Sequence, residues 1–165
     1  MKMAKSEYQF ENFLANVNED NKDFVKKVHE FLTRDNYKIN VESKASGFFA
    51  SYSHLKTKRS ILNFLFRKKG LLVRIYGDNC GEYAYLLNKL PDNIVKQIDK
   101  AGVCKRFINS QDCNAKCVMG YDFYIGDKHY QKCRNSCFCL EVDSESVPFL
   151  TEMIENESKA RLTAE

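Results

Sequence analysis

The chain has 165 residues, 44% apolar and 29% charged, with seven Gly, two Pro and a net charge of +4. That balance suits one globular domain, or one with a small appendage, and excludes collagen-like, linker-like and disordered chains. No apolar run approaches the roughly 18 to 20 residues of a membrane span. The opening Met1-Lys2-Met3-Ala4-Lys5-Ser6-Glu7 lacks the apolar stretch of a signal peptide. The expectation is a soluble cytoplasmic protein with no membrane partner.

Phe10, Phe13, Leu14 and Val17 recur at helical spacing and predict a helix near 5–17. Asp20 or Asn21 then offers an N-cap for a second helix near 21–34, carrying Phe24, Val25, Val28, Phe31 and Leu32. The period then changes. Tyr37–Glu42, Phe48–Ser53, Ile61–Arg67 and Leu71–Tyr76 are short, aromatic and β-branched, and they alternate or nearly so. Lys68-Lys69-Gly70 reads as a tight turn, which places Leu71, Val73 and Ile75 on one face and Leu72, Arg74 and Tyr76 on the other. One face should meet helices and the other be partly wet. Asp78 or Asn79 is placed to cap a helix with Tyr83, Leu86, Leu87 and Leu90, which Pro91 ends. A further helix carries Ile94, Val95 and Ile98 and stops near Gly102. Tyr121–Ile125, Gly126-Asp127 and Lys128–Tyr130 read as a second hairpin, and a helix near 146–161 closes the chain, with Pro148 in its first turn. The expected fold is α+β: an N-terminal helix pair, an antiparallel meander, two further helices, a Cys-rich hairpin module and a C-terminal helix. The one natural division is 1–102 as an α+β core and 103–165 as the Cys-rich module packed on it.

Six of the seven cysteines fall between Cys104 and Cys139. Two Cys-x3-Cys pairs, Cys113/Cys117 and Cys133/Cys137, flank the second hairpin, which would bring them together as four thiolates around a structural zinc ion. Cys104 and Cys139 are reserve ligands. Lys105, Arg106, Lys116, Lys132 and Arg134 would offset the negative charge of such a site. Neither pair has the tighter Cys-x2-Cys spacing of common zinc knuckles. Disulfides, reduced core cysteines and an iron–sulfur cluster therefore stay open. Cys80, at a predicted helix start, is the candidate for thiol chemistry, opposed by Asp78 and Glu82. Of His29, His54 and His129, only His129 lies where it could join a metal site. No phosphate loop, dinucleotide fingerprint, nucleophile elbow or His-Glu-x-x-His occurs.

Charge is unevenly spread. From Ser43 to Gly77 there is no acid and eight bases. Lys58, Arg59, Arg67, Lys68 and Arg74 are the candidate phosphate contacts if the partner is nucleic acid. The plain alternative is that these bases guard strand edges. Lys44–Tyr52 only loosely matches the aromatic strand of an RNA-recognition sheet, and Phe48 and Tyr52 suit a core face better.

The runs Cys104-Lys105-Arg106-Phe107, Cys113-Asn114-Ala115-Lys116-Cys117, Gly120-Tyr121-Asp122-Phe123 and Lys132–Phe138 resemble a pattern in small uncharacterised proteins of Firmicutes, as do Lys58–Phe64 and Gly70–Tyr76. The resemblance implies a bacterial cytoplasmic setting and brings no activity or catalytic residue with it. Three readings follow. The leading one is a non-enzymatic binding or interaction protein with a cysteine-ligated structural zinc and an unidentified partner. The others are nucleic-acid binding through 43–77, and a thiol redox enzyme or sensor using Cys80 or an exposed cysteine pair.

Overall fold

The computed structural model describes residues 5–164. Met1–Ala4, part of the segment read for a signal peptide, lie outside the described residues. Helix α1 spans Lys5–Ala15 and α2 spans Glu19–Arg34. The cap of α2 is Asn18, whose side chain accepts the Asn21 N–H at 3.2 Å. The helix therefore starts earlier than Asp20 or Asn21 would allow, and Glu19 and Asp20 sit in its first turn, where they suit the helix dipole.

Four strands follow: β1 (Tyr37–Lys44), β2 (Gly47–His54), β3 (Ser60–Arg67) and β4 (Gly70–Ile75). They form the expected meander. Gly47 (φ +122) and Gly70 (φ +113) close its two tight hairpins in a backbone region that side chains rarely adopt. A fifth strand, absent from the sequence reading, joins the same sheet. Completing the order β1-β2-β3-β4-β7, it runs Cys139–Glu141 and pairs antiparallel with β4. The Cys-rich segment is thereby hydrogen-bonded into the main sheet.

One sheet face is apolar. Ile39, Ala50, Tyr52, Leu62, Phe64, Val73, Ile75 and Leu140 are buried there, and α1 and α2 cover it. Phe13 packs on Phe64 and Phe66, Phe24 meets Phe64 edge-on, and the Tyr52 ring meets His29. Tyr52 and Phe48 thus serve the core, as expected. At strand spacing the alternate residues Phe49, Ser51, Leu72 and Arg74 face the other way and are half-exposed, whereas Ile61, Asn63 and Leu65 on that side of the central β3 are buried.

Between β4 and Pro91 the expectation is one continuous helix. The chain instead makes a 3-10 turn over Cys80–Tyr83 and a short α3 over Ala84–Leu87. Asn79 makes no capping hydrogen bond, and Asn88 folds its side chain back onto the Ala84 carbonyl. α4 (Asp92–Lys100), the hairpin β5 (Tyr121–Ile125) and β6 (Lys128–Lys132), and α5 (Val147–Thr163) match expectation. The hairpin's inner residues Tyr121 and Phe123 pack on Phe138. Among the described residues no helix is long and apolar enough to cross a membrane.

Candidate functional site

Three arginines from distant parts of the chain converge on Asp78, just after β4. Arg134 donates to both of its oxygens, Arg59 donates at 2.9 Å and Arg161 at 3.2 Å. Burial alone would raise the Asp78 pKa, but the three guanidiniums outweigh it and hold the carboxyl below its usual value. Arg161 is itself buried. It also donates to the carbonyls of Ser60 and Tyr76 and to Glu157, and so ties α5 to the ends of β3 and β4. Glu157 is fully buried and accepts four donors: the Asn79 N–H and side-chain amide, the Tyr83 hydroxyl and Arg161.

Above this ionic network lies a cleft of about 570 Å³. Its walls include Arg59, Lys116 and Arg134 against the single carboxylate of Asp78, with the amides of Asn114 and Asn135. Tyr76 also lines it, and the Arg134 guanidinium lies 4.7 Å from the ring centroid. The Tyr76 hydroxyl accepts the Asn63 side-chain amide, and Asn63 pairs with Arg74 across β3 and β4. Asn63 is buried, so this link from the cleft to the outward side of β3 and β4 runs through covered side chains. Along that face Arg74 donates to the Asn135 carbonyl, and Arg67 stands at the far end of β3, roughly 27 Å from Arg59 at about 3.4 Å per residue. Carboxylates on this side are matched: Glu42 by Lys44, Glu141 by Lys69, Asp78 by its arginines. Among the described residues Arg67, Lys68, Arg74 and Lys116 have no carboxylate within ion-pair distance. A half-exposed aromatic, Phe49, lies on the same face under the Lys44 ammonium, 5.8 Å from its centroid.

The expected zinc ligands are dispersed. Among the described residues no three His, Cys, Asp or Glu side chains form a group that could hold a metal ion. Cys113 is exposed, with φ +65, whereas Cys137 is fully buried. The two Cys-x3-Cys pairs therefore do not act as matching halves. Burial pushes the Cys137 thiol well up, and neighbouring Cys80 adds to the shift. Cys133 accepts the Cys137 N–H through its carbonyl, Cys117 lines the basic cleft, and Cys104 is buried. Cys139, the other reserve ligand, sits on β7. Burial raises its pKa against the pull of nearby Arg74 and Arg67. None of the seven cysteines is disulfide-bonded. The four-thiolate arrangement Cys113, Cys117, Cys133 and Cys137 gains no support from this geometry.

Cys80 is no better placed for thiol chemistry. Burial and the nearby Glu157 push its thiol up to about 11, so it stays protonated near neutral pH. His129 pairs with Asp122 at 2.6 Å on the outer face of the β5–β6 hairpin, away from any cysteine group. His54 accepts the N–H groups of Lys56 and Thr57 and shapes the β2–β3 turn. Of the residues singled out for phosphate, Arg59 is in the cleft and Arg67 and Arg74 are on the outward face. Lys68 is at the β3–β4 turn, and Lys58 folds back onto the Leu55 carbonyl. Sequence reasoning missed Arg134, Lys116 and Tyr76 as members of this site. They come from separate segments, and no local pattern links them. Comparisons with protein families, curated proteins and solved structures found no match.

Proposed function

We propose that this protein binds single-stranded nucleic acid along the outward face of its five-stranded sheet, with the cleft over Asp78 as the anchoring end. The observation that carries this reading is the excess of cations over carboxylates in that cleft, Arg59, Lys116 and Arg134 to Asp78, beside the half-buried ring of Tyr76. Backbone phosphates would meet Arg59, Lys116 and Arg134, then Arg74, then Arg67 and Lys68. Such contacts release counterions and give affinity without sequence preference. Tyr76 and Phe49 would supply flat apolar faces for bases, each already flanked by a cation. The arginine network beneath holds Arg134 and Asp78 in place, so little side-chain ordering is left for binding. In this reading the Cys113–Cys117 loop acts as a wall of the cleft.

The test is fluorescence anisotropy with a mixed-sequence single-stranded oligonucleotide, at low salt and at physiological salt. Binding that weakens steeply with salt is expected. Arg67→Glu combined with Arg74→Glu should weaken it and flatten the salt slope by about one for each phosphate no longer held. No binding at low salt, or binding indifferent to both substitutions, would end the proposal.

A further inference from the structure

β1 is an outermost strand of the five-stranded sheet, and no described strand pairs with its outer edge. The hydrogen-bonding parity of that edge follows from its hairpin. Lys44 faces Gly47 across the two-residue turn, and at the opposite end the Leu55 N–H donates to the Asn36 carbonyl at 2.8 Å. Bonded and non-bonded pairs alternate along an antiparallel ladder. Lys38, Asn40, Glu42 and Lys44 therefore bond to β2, while Tyr37, Ile39, Val41 and Ser43 turn their N–H and C=O groups to the free edge. An unpaired edge eight residues long is a template for another strand.

We propose that the occupant is a second copy of this chain, its β1 antiparallel to the first, related by a two-fold axis passing beside Asn40. Such a contact is isologous and closes after two copies. Only the odd-numbered residues have free backbone groups, so the register can shift only in steps of two. With Asn40 opposite itself, Ile39 faces the other copy's Val41 on the helix side, and Lys38 faces the other copy's Glu42 on the outward side. Symmetry repeats both pairs. One step of slip places Lys38 opposite Lys44, and a step the other way places it opposite Asn40. The register centred on Asn40 alone of these three sets each Lys38 against an acid. Opposite charges and apolar pairs directly across a ladder favour it, and like charges penalise the slip.

The single chain is consistent with this use. Lys38 is exposed and has no carboxylate within ion-pair distance among the described residues. Glu42 is exposed and is held only by the neighbouring Lys44 and Asn40. Val41 is only half-buried, although it lies on the core face. The pairing would supply about eight backbone hydrogen bonds, four from the Ile39–Val41 pairs and four from the Tyr37–Ser43 pairs. It would fuse the two sheets into one, with the helices of both copies on one side.

Analytical ultracentrifugation across micromolar to submillimolar concentrations tests the proposal. The native chain is expected to show a reversible monomer–dimer equilibrium. Glu42→Lys should raise the dimer Kd by at least about tenfold, and Lys38→Glu combined with Glu42→Lys should recover the native value. Val41→Pro, which removes one outward N–H, should also weaken the dimer, since an edge strand tolerates proline. Unchanged thermal melting of each variant at monomer concentrations excludes unfolding as the cause. A chain that stays monomeric throughout would overturn the proposal. So would a dimer indifferent to Glu42→Lys and Val41→Pro, or a double variant that does not recover.

Discussion

The imidazole of His29 lies flat on the phenyl ring of Phe10, with centroids 3.6 Å apart and planes 4° from parallel. This stack joins α1 to α2. On its inner side Nδ1 of His29 is 2.9 Å from the buried Tyr52 hydroxyl. Nε2 is buried without a hydrogen bond, 3.7 Å from a Glu7 carboxylate oxygen. The neutral ring fits these surroundings when Tyr52 donates to Nδ1 and Nε2 carries the hydrogen towards Glu7. Burial outweighs the opposing pull of Glu7, Glu11 and Glu30, and the His29 pKa is lowered.

The sign of the pH effect follows from that shift. The unfolded chain takes up the His29 proton at a higher pH than the folded chain does. The stability supplied by the neutral ring is fully present above about pH 6.5 and is lost as the pH falls from there towards the lower folded value. The melting temperature should therefore drop on mild acidification. His29→Gln, which removes the titration, should flatten that part of the curve. Parallel melting curves for the two proteins across this range would refute the assignment.

Glu157 is expected to be the most sensitive single charge in the fold. Its carboxylate is completely buried and satisfies four donors, one of them the buried Arg161. Truncation to alanine leaves a guanidinium, a tyrosine hydroxyl and an asparagine amide short of an acceptor. Removing one partner of a buried pair costs about 3–5 kcal/mol, so Glu157→Ala should shift the urea midpoint strongly. Glu157→Gln keeps one acceptor oxygen and should cost less. A loss below about 1 kcal/mol for the alanine variant, the range of surface pairs, would show that the network adds nothing to stability.

The helices and the meander were legible because their signal is local. Phe24, Val25, Val28 and Leu32 repeat at helical spacing, and Leu71, Val73 and Ile75 alternate, so period alone separates α2 from β4. β7 was not legible. It is three residues long, and its partner β4 lies more than sixty positions away. The helix expected after Asp78 failed for a related reason: the Asp78 carboxylate that would cap it is held by arginines from three other segments. One clue was present. Leu150, Met153, Ile154, Glu157 and Arg161 follow a single helical stripe, so an acid and a base lie on the apolar face of α5, which announces a buried ion pair. The cysteine spacing suggested convergence because it is symmetrical in sequence. The structure breaks that symmetry by burying Cys137 in the core and leaving Cys113 in solvent.

Gly120, immediately before β5, lies tight against the Lys132 carbonyl at the end of β6 and against Cys104. A Cβ there would overlap the Lys132 carbonyl oxygen and stand 2.7 Å from the Cys104 Cβ. Backbone is one of those obstacles, so it cannot rotate away. Gly120→Ala should destabilise the protein by about 1–3 kcal/mol, the usual range for overpacking. Gly81→Ala is the control. Nothing lies within 4 Å of its Cβ position and its φ is not positive. It should be neutral or should stabilise by up to about 1 kcal/mol through reduced freedom of the unfolded chain. Equal effects of the two substitutions in thermal melts would contradict this account of Gly120.

The cysteines should differ sharply in reactivity, because their surroundings do. Alkylation requires the thiolate and access to it. Burial raises the thiols of Cys80 and Cys137, the former to about 11, and closes both to reagent. Cys113 is exposed on its loop. Timed iodoacetamide labelling of the native protein, read by peptide mass spectrometry, should modify Cys113 first. Cys80 and Cys137 should react only after denaturant is added. The same experiment bears on the zinc reading. If Cys113, Cys117 and Cys133 were protected together and released together by a chelator, a shared cation would be holding them, and the dispersed arrangement described for these sulfurs would be wrong. Labelling of Cys113 at the same rate with and without chelator is the outcome its exposure predicts.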